Sequence, residues 1–81
     1  MNVGEKMADR RNIVVERIRL ARLSENPPAT QKDISARLAV CGIILSDSAI
    51  GKIEHGTSSV TDLQVKAFAK VLKVKAAWLR K

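Results

Sequence analysis

Three helix-start signatures constrain this chain more than any other feature: Thr30 with Asp33, Ser46 with Asp47, and Thr61 with Gln64. The first amides of a helix lack intrahelical partners, and a Ser or Thr oxygen just before the helix satisfies one of them. An acid or amide three residues on returns the bond to the cap, as Thr30/Asp33 and Thr61/Gln64 are spaced to do. Asp47 follows its cap directly, where a negative charge suits the helix dipole. Each start is followed by apolar residues at helical spacing. Ile34 and Leu38 follow the first, Ile50 and Ile53 the second, and Leu63, Ala67, Phe68, Val71 and Leu72 the third. Stops are marked as well. Gly42 and Gly56 can take the left-handed conformation that closes a helix, and Lys73-Val74-Lys75 breaks the next one.

Upstream, residues 9–25 read as a helix with Val14, Ile18 and Ala21 on one face. Arg10, Arg11, Arg17 and Arg19 lie largely on the others. Asn26-Pro27-Pro28 ends this helix, because proline lacks the amide donor and biases the preceding residue away from helix. Residues 76–79 read as a short fifth helix. The spacing therefore predicts an all-α, five-helix domain over 9–81, preceded by a flexible segment over 1–8. Ile43, Ile44 and Leu45 form an apolar connector that is expected to be tucked down, since an exposed one would be sticky.

A chain of 81 residues holds one small core with a shallow stability margin. Cys41 is the only cysteine, which excludes an internal disulfide and suits a reducing cytosol; with His55 it is too few ligands for zinc. No cofactor is indicated. The N-terminus MNVGEKMADRR has no apolar core, and no apolar run approaches the ~20 residues of a membrane helix, so the expectation is a cytoplasmic, nucleoid-associated protein. No paired carboxylates, Gly-rich phosphate loop or nucleophile–base set suggests an enzyme, and no small-molecule ligand is indicated. The net charge of +7 favours a polyanionic partner. Phe68 and Trp78 are the only aromatics, which argues against a single-strand binder that stacks bases on several rings.

Two consecutive short helices, an apolar turn and a second helix with a polar outer face make a helix-turn-helix candidate. Gln31-Lys32-Asp33-Ile34-Ser35 begins the first helix. Ser46-x-x-x-Ile50-x-x-Ile53-Glu54-x-Gly56 forms the second, and AKVLKVKAAWL completes the bundle. On these residues, over about 13–79, the chain resembles the Cro and phage-repressor (XRE, lambda-repressor-like) helix-turn-helix family. The likeness is to a subgroup with a lengthened connection, here residues 38–46. The resemblance implies a compact five-helix DNA-binding domain with its recognition helix at about 46–55. It places the DNA site at Gln31, Lys32, Ser46, Asp47, Ser48, Gly51, Lys52, Thr57 and Ser58. Gln31 would hold a phosphate and brace the recognition helix, and Arg22 would pair with Glu54.

The residues also admit plainer readings. Ile50 and Ile53 are core rather than readout. Lys52 is either a contact to guanine or phosphate, or a solvated lysine. Asp47 can accept from a cytosine amino group or simply favour the helix start. Gly51 removes a side chain from the outer face, which either lets the helix approach a duplex closely or marks a face that no longer reads DNA. His55 reads as a solvent-facing helix end, Cys41 as packed at the turn, and Trp78 as the anchor of the last helix or part of a dimer interface. The expected function is sequence-specific binding of double-stranded DNA by a transcriptional regulator, a repressor, acting as a homodimer. The rival is the same fold serving as a protein–protein module with little or no DNA binding.

Overall fold

The computed structural model describes the backbone of residues 3–80 and the side chains of residues 13–80. Five helices follow in order: α1 (Val3–Leu23), α2 (Gln31–Val40), α3 (Asp47–Glu54), α4 (Asp62–Leu72) and α5 (Ala76–Arg80), with no strand among the described residues. α1 starts at Val3 rather than near Asp9. Residues 1 and 2 of the expected flexible segment, and the side chains of Arg10 and Arg11, lie outside the described residues.

The capping signatures form as read. Thr30 accepts from the Asp33 amide at 3.0 Å while the Asp33 carboxylate accepts from the Thr30 amide at 2.9 Å. Thr61 and Gln64 exchange the same pair of bonds, each at 3.1 Å. Ser46 accepts from the Ala49 amide at 3.0 Å. The Thr30 backbone amide first, and the Thr30 side chain second, hold the Asp33 carboxyl below its ordinary range.

The helix ends share one device. After α2, the Gly42 amide donates to the Ala39 carbonyl and the Ile43 amide to that of Leu38, with Gly42 at φ 84°. After α3, Gly56 and Thr57 donate to Ile53 and Lys52, with Gly56 at φ 76°. After α4, Lys73 and Val74 donate to Lys70 and Ala69. These paired closing bonds satisfy carbonyls the helix itself leaves open, and they need a left-handed residue. At the third site that residue is Lys73, at φ 61°, where a side chain makes the conformation costly.

The core gathers Ile18 and Ala21 from α1, Ile34 and Leu38 from α2, Ile50 and Ile53 from α3, Val65, Phe68, Ala69 and Leu72 from α4, and Leu79 from α5. Two expectations, on Ile44 and Cys41, need correction, and the apolar run that marks α4 is buried only in part. Leu63 is 66% exposed, while Val65 is buried. α4 is packed by α1, α2 and α5, and the stripe they cover is the Val65–Phe68–Ala69–Leu72 row, a helix width away from Leu63. In the connector, Ile43 and Leu45 pack against the core, but Ile44 is 82% exposed. A non-helical segment turns successive side chains to opposite sides, so tucking two of these three residues turns the middle one out. Cys41, the last residue before the reversal at Gly42, is exposed rather than packed.

Two arginines join separate elements. Arg37 grips Glu25 through both carboxylate oxygens at 2.7 and 2.8 Å, and its Nη1 donates to the Val71 carbonyl at 3.3 Å. That hydrogen-bonded guanidinium holds the Glu25 carboxyl below the usual range, and the carboxylate raises Arg37 in turn. Arg17 lies over the Trp78 ring, 5.1 Å from its centroid, and also donates to the Trp78 carbonyl. With its ring also packed against the core, Trp78 anchors α5 on α1.

Candidate nucleic-acid interface

α3 is held from behind. Ile50 and Ile53 are sealed into the core, and α1 and α2 pack against the helix. The opposite face follows from the 3.6-residue period: Ser48, Lys52 and His55 recur at spacings of four and three, and all three are exposed. No other element of the described chain covers them. The reading of His55 as a solvent-facing helix end agrees with its position as the cap after Glu54. Its place in line with Ser48 and Lys52 went unremarked in the sequence, though the same spacing would have found it.

Glu54 does not present its charge outward. Both of its oxygens are taken by Arg22, Oε2 from Nε and Oε1 from Nη2, each at 2.9 Å. The side chains are 11% and 5% exposed, so this pair works in a largely dry setting. Arg22 also donates to the Ala29 carbonyl at 2.8 Å, while the Ala29 amide donates to the Arg22 carbonyl at 3.1 Å. One guanidinium thus joins α1, the α1–α2 loop and the end of α3.

Gln31 adds a third partner. Its Nε2 donates to Glu54 Oε1 at 3.3 Å, and its side chain lies across α3 at Gly51. A methyl group on Gly51 would meet the Gln31 Oε1 at 3.2 Å. The glycine therefore makes room for the glutamine that braces the helix, a role reached by neither of the readings offered for it from sequence.

The remaining expected site residues divide into two groups. Lys32, Ser48, Lys52 and Ser58 are exposed and make no side-chain ion pair among the described residues. Ser46, Asp47 and Thr57 are exposed but engaged locally. Ser46 caps α3, Asp47 accepts from the Ser48 amide at 2.9 Å, and Thr57 Oγ1 donates to the Lys52 carbonyl at 3.1 Å. For Asp47 this geometry is the helix-start role. The nine residues thus fall at the start of α2, along α3 with its cap, and in the turn after it, and Gln31 against Gly51 joins the first two.

A helix about 10–12 Å across fits a groove about 12 Å wide. Amides at helix starts and free lysines bind phosphate. No protein-family model, curated protein or solved structure matches the chain.

Proposed function

We infer that the chain is a double-stranded DNA-binding domain of the lambda-repressor-like kind, with α2 and α3 as its helix-turn-helix and α3 entering the major groove. In this reading it is a sequence-specific transcriptional regulator, a repressor that grips a two-fold site as a homodimer. The observation that carries the reading is the outer face of α3. Ser48 and Lys52 are uncovered on a chain of net charge +7, and the nearby Glu54 carboxylate is bound to Arg22. Lys52 supplies a long donor for guanine or phosphate, Ser48 a short one, and Lys32 a phosphate contact at the start of α2. With so few long donors on the face, phosphate contacts carry most of the affinity. Binding should then fall with a log–log salt slope of about −0.9 per phosphate neutralised.

The test is fluorescence anisotropy with a labelled random-sequence duplex across a salt series. Wild-type chain binds at low salt and releases as salt rises. Lys52→Ala weakens binding while its thermal midpoint stays within a few degrees. Failure of the wild-type chain to bind at low salt removes the reading, and equal affinity for the variant removes Lys52 from the site.

A second reading, a protein–protein module, is favoured by one feature. Val40 and Ile44, at the α2–α3 connection, are 89% and 82% exposed, more than any other large apolar residues among those described. Absence of DNA binding at low salt would turn attention to that apolar tip.

A further inference from the structure

Where α1, α2 and α3 meet there is a polar depression of about 110 Å³, lined by Arg19, Arg22, Gln31, Glu54 and His55. At about 30 Å³ per water in the liquid, it has the volume of three or four waters, the scale of one tetrahedral oxyanion rather than of a base. Its charges are unevenly committed. Arg22 and Glu54 neutralise each other, and Gln31 spends one amide proton on Glu54. Glu54 can only accept, so the Gln31 amide must present its nitrogen to it, which leaves the second amide proton free. Arg19 and His55 are exposed and form no ion pair among the described residues. Gln31, which lies against Gly51, is shared between the depression and the surface described above.

We propose that Arg19 and His55, with the free amide proton of Gln31, bind a DNA phosphodiester in this depression. The proposal rests on the DNA-binding reading and adds two residues to it. Arg19 supplies a charge from α1, and His55 a ring N–H donor from the end of α3. Since Glu54 is bound by Arg22, the charge left over in the depression is that of Arg19. A phosphate oxygen placed between Arg19 and His55 accepts from both.

The experiment measures affinity for a random-sequence duplex of roughly 20 base pairs, two helical turns, across a salt series. Arg19→Gln should reduce the salt slope by about 0.9, and Arg19→Lys should restore it. His55→Ala should weaken binding at low salt roughly three- to fivefold, the worth of one hydrogen bond, and His55→Gln, which keeps an N–H donor, should stay within about twofold of wild type. Both positions are exposed, and unchanged thermal midpoints separate a site effect from a folding effect. An unchanged slope in Arg19→Gln or an unchanged affinity in His55→Ala overturns the proposal while leaving DNA binding standing. A wild-type chain that binds no duplex at low salt overturns both.

Discussion

Replacing Arg22 with alanine would strip three hydrogen bonds from the junction of α1, α2 and α3: two to Glu54 at 2.9 Å and one to the Ala29 carbonyl at 2.8 Å. What remains decides the magnitude. The Glu54 side chain is 5% exposed and would keep only the 3.3 Å bond from Gln31. A nearly buried carboxylate left without its counter-charge typically costs about 3–5 kcal/mol. A domain of this length has roughly 4–12 kcal/mol in total, so the loss is a large part of it. At about 4–8 °C per kcal/mol, the thermal midpoint should fall by at least ~12 °C. Urea unfolding followed by helical circular dichroism would measure the change. The double variant Arg22→Met with Glu54→Leu should recover most of the loss, because apolar replacement of both partners removes the stranded charge. A loss below about 1 kcal/mol for Arg22→Ala would mean that the pair behaves as an exposed one, and the account of α3 being held from behind would fail.

Other outcomes follow from the same geometry. Gly51→Ala should change stability by less than about 0.5 kcal/mol, its helical gain offset by the 3.2 Å contact with Gln31; in a Gln31→Ala background it should stabilise by about 0.5–1 kcal/mol, and a double-mutant cycle in urea reads the difference. Lys73→Gly should stabilise by about 0.5–1 kcal/mol, since glycine takes the left-handed φ of 61° without strain; a lower midpoint would count against that cost. Glu25 has a folded-state pKa lowered mainly by its hydrogen bonds to Arg37. Its stabilisation is therefore complete above the ordinary value of about 4.3 and is lost as pH falls through the lower folded value. Glu25→Gln should flatten the acid limb of the midpoint–pH curve, and a limb parallel to wild type would remove that linkage.

Much of the local structure was legible in the residues because its causes are local. Thr30, Ser46 and Thr61 cap helices with oxygens from within the same turn, and Gly42 and Gly56 close them with backbone that only glycine adopts freely. Ile50 and Ile53 sit where helical spacing puts them, and the Arg22–Glu54 pair expected from the family resemblance is present. The candidate site was legible as a surface, since Ser48 and Lys52 lie opposite the isoleucines. Ser46 was read as a cap and Asp47 as a possible helix-start residue, but the engagement of Thr57 was not legible. Nothing within a few residues of Thr57 requires its hydroxyl to bond the Lys52 carbonyl instead of pointing outward.

The remainder belongs to distant neighbours. The apolar residues of α4 are broad enough to offer more than one stripe, and only the positions of α1, α2 and α5 select Val65 over Leu63. Gly51 reads as a missing side chain until Gln31, twenty residues earlier, is laid across it. Arg37 reaching Glu25, and Arg19 meeting His55 around one depression, likewise depend on how helices cross. Sequence by itself determined where α2, α3 and α4 begin and end, because caps and left-handed closures act within one turn of backbone. Tertiary structure alone decided which faces are buried and which charges are spent, because burial and ion pairing depend on segments that meet only when the chain is packed.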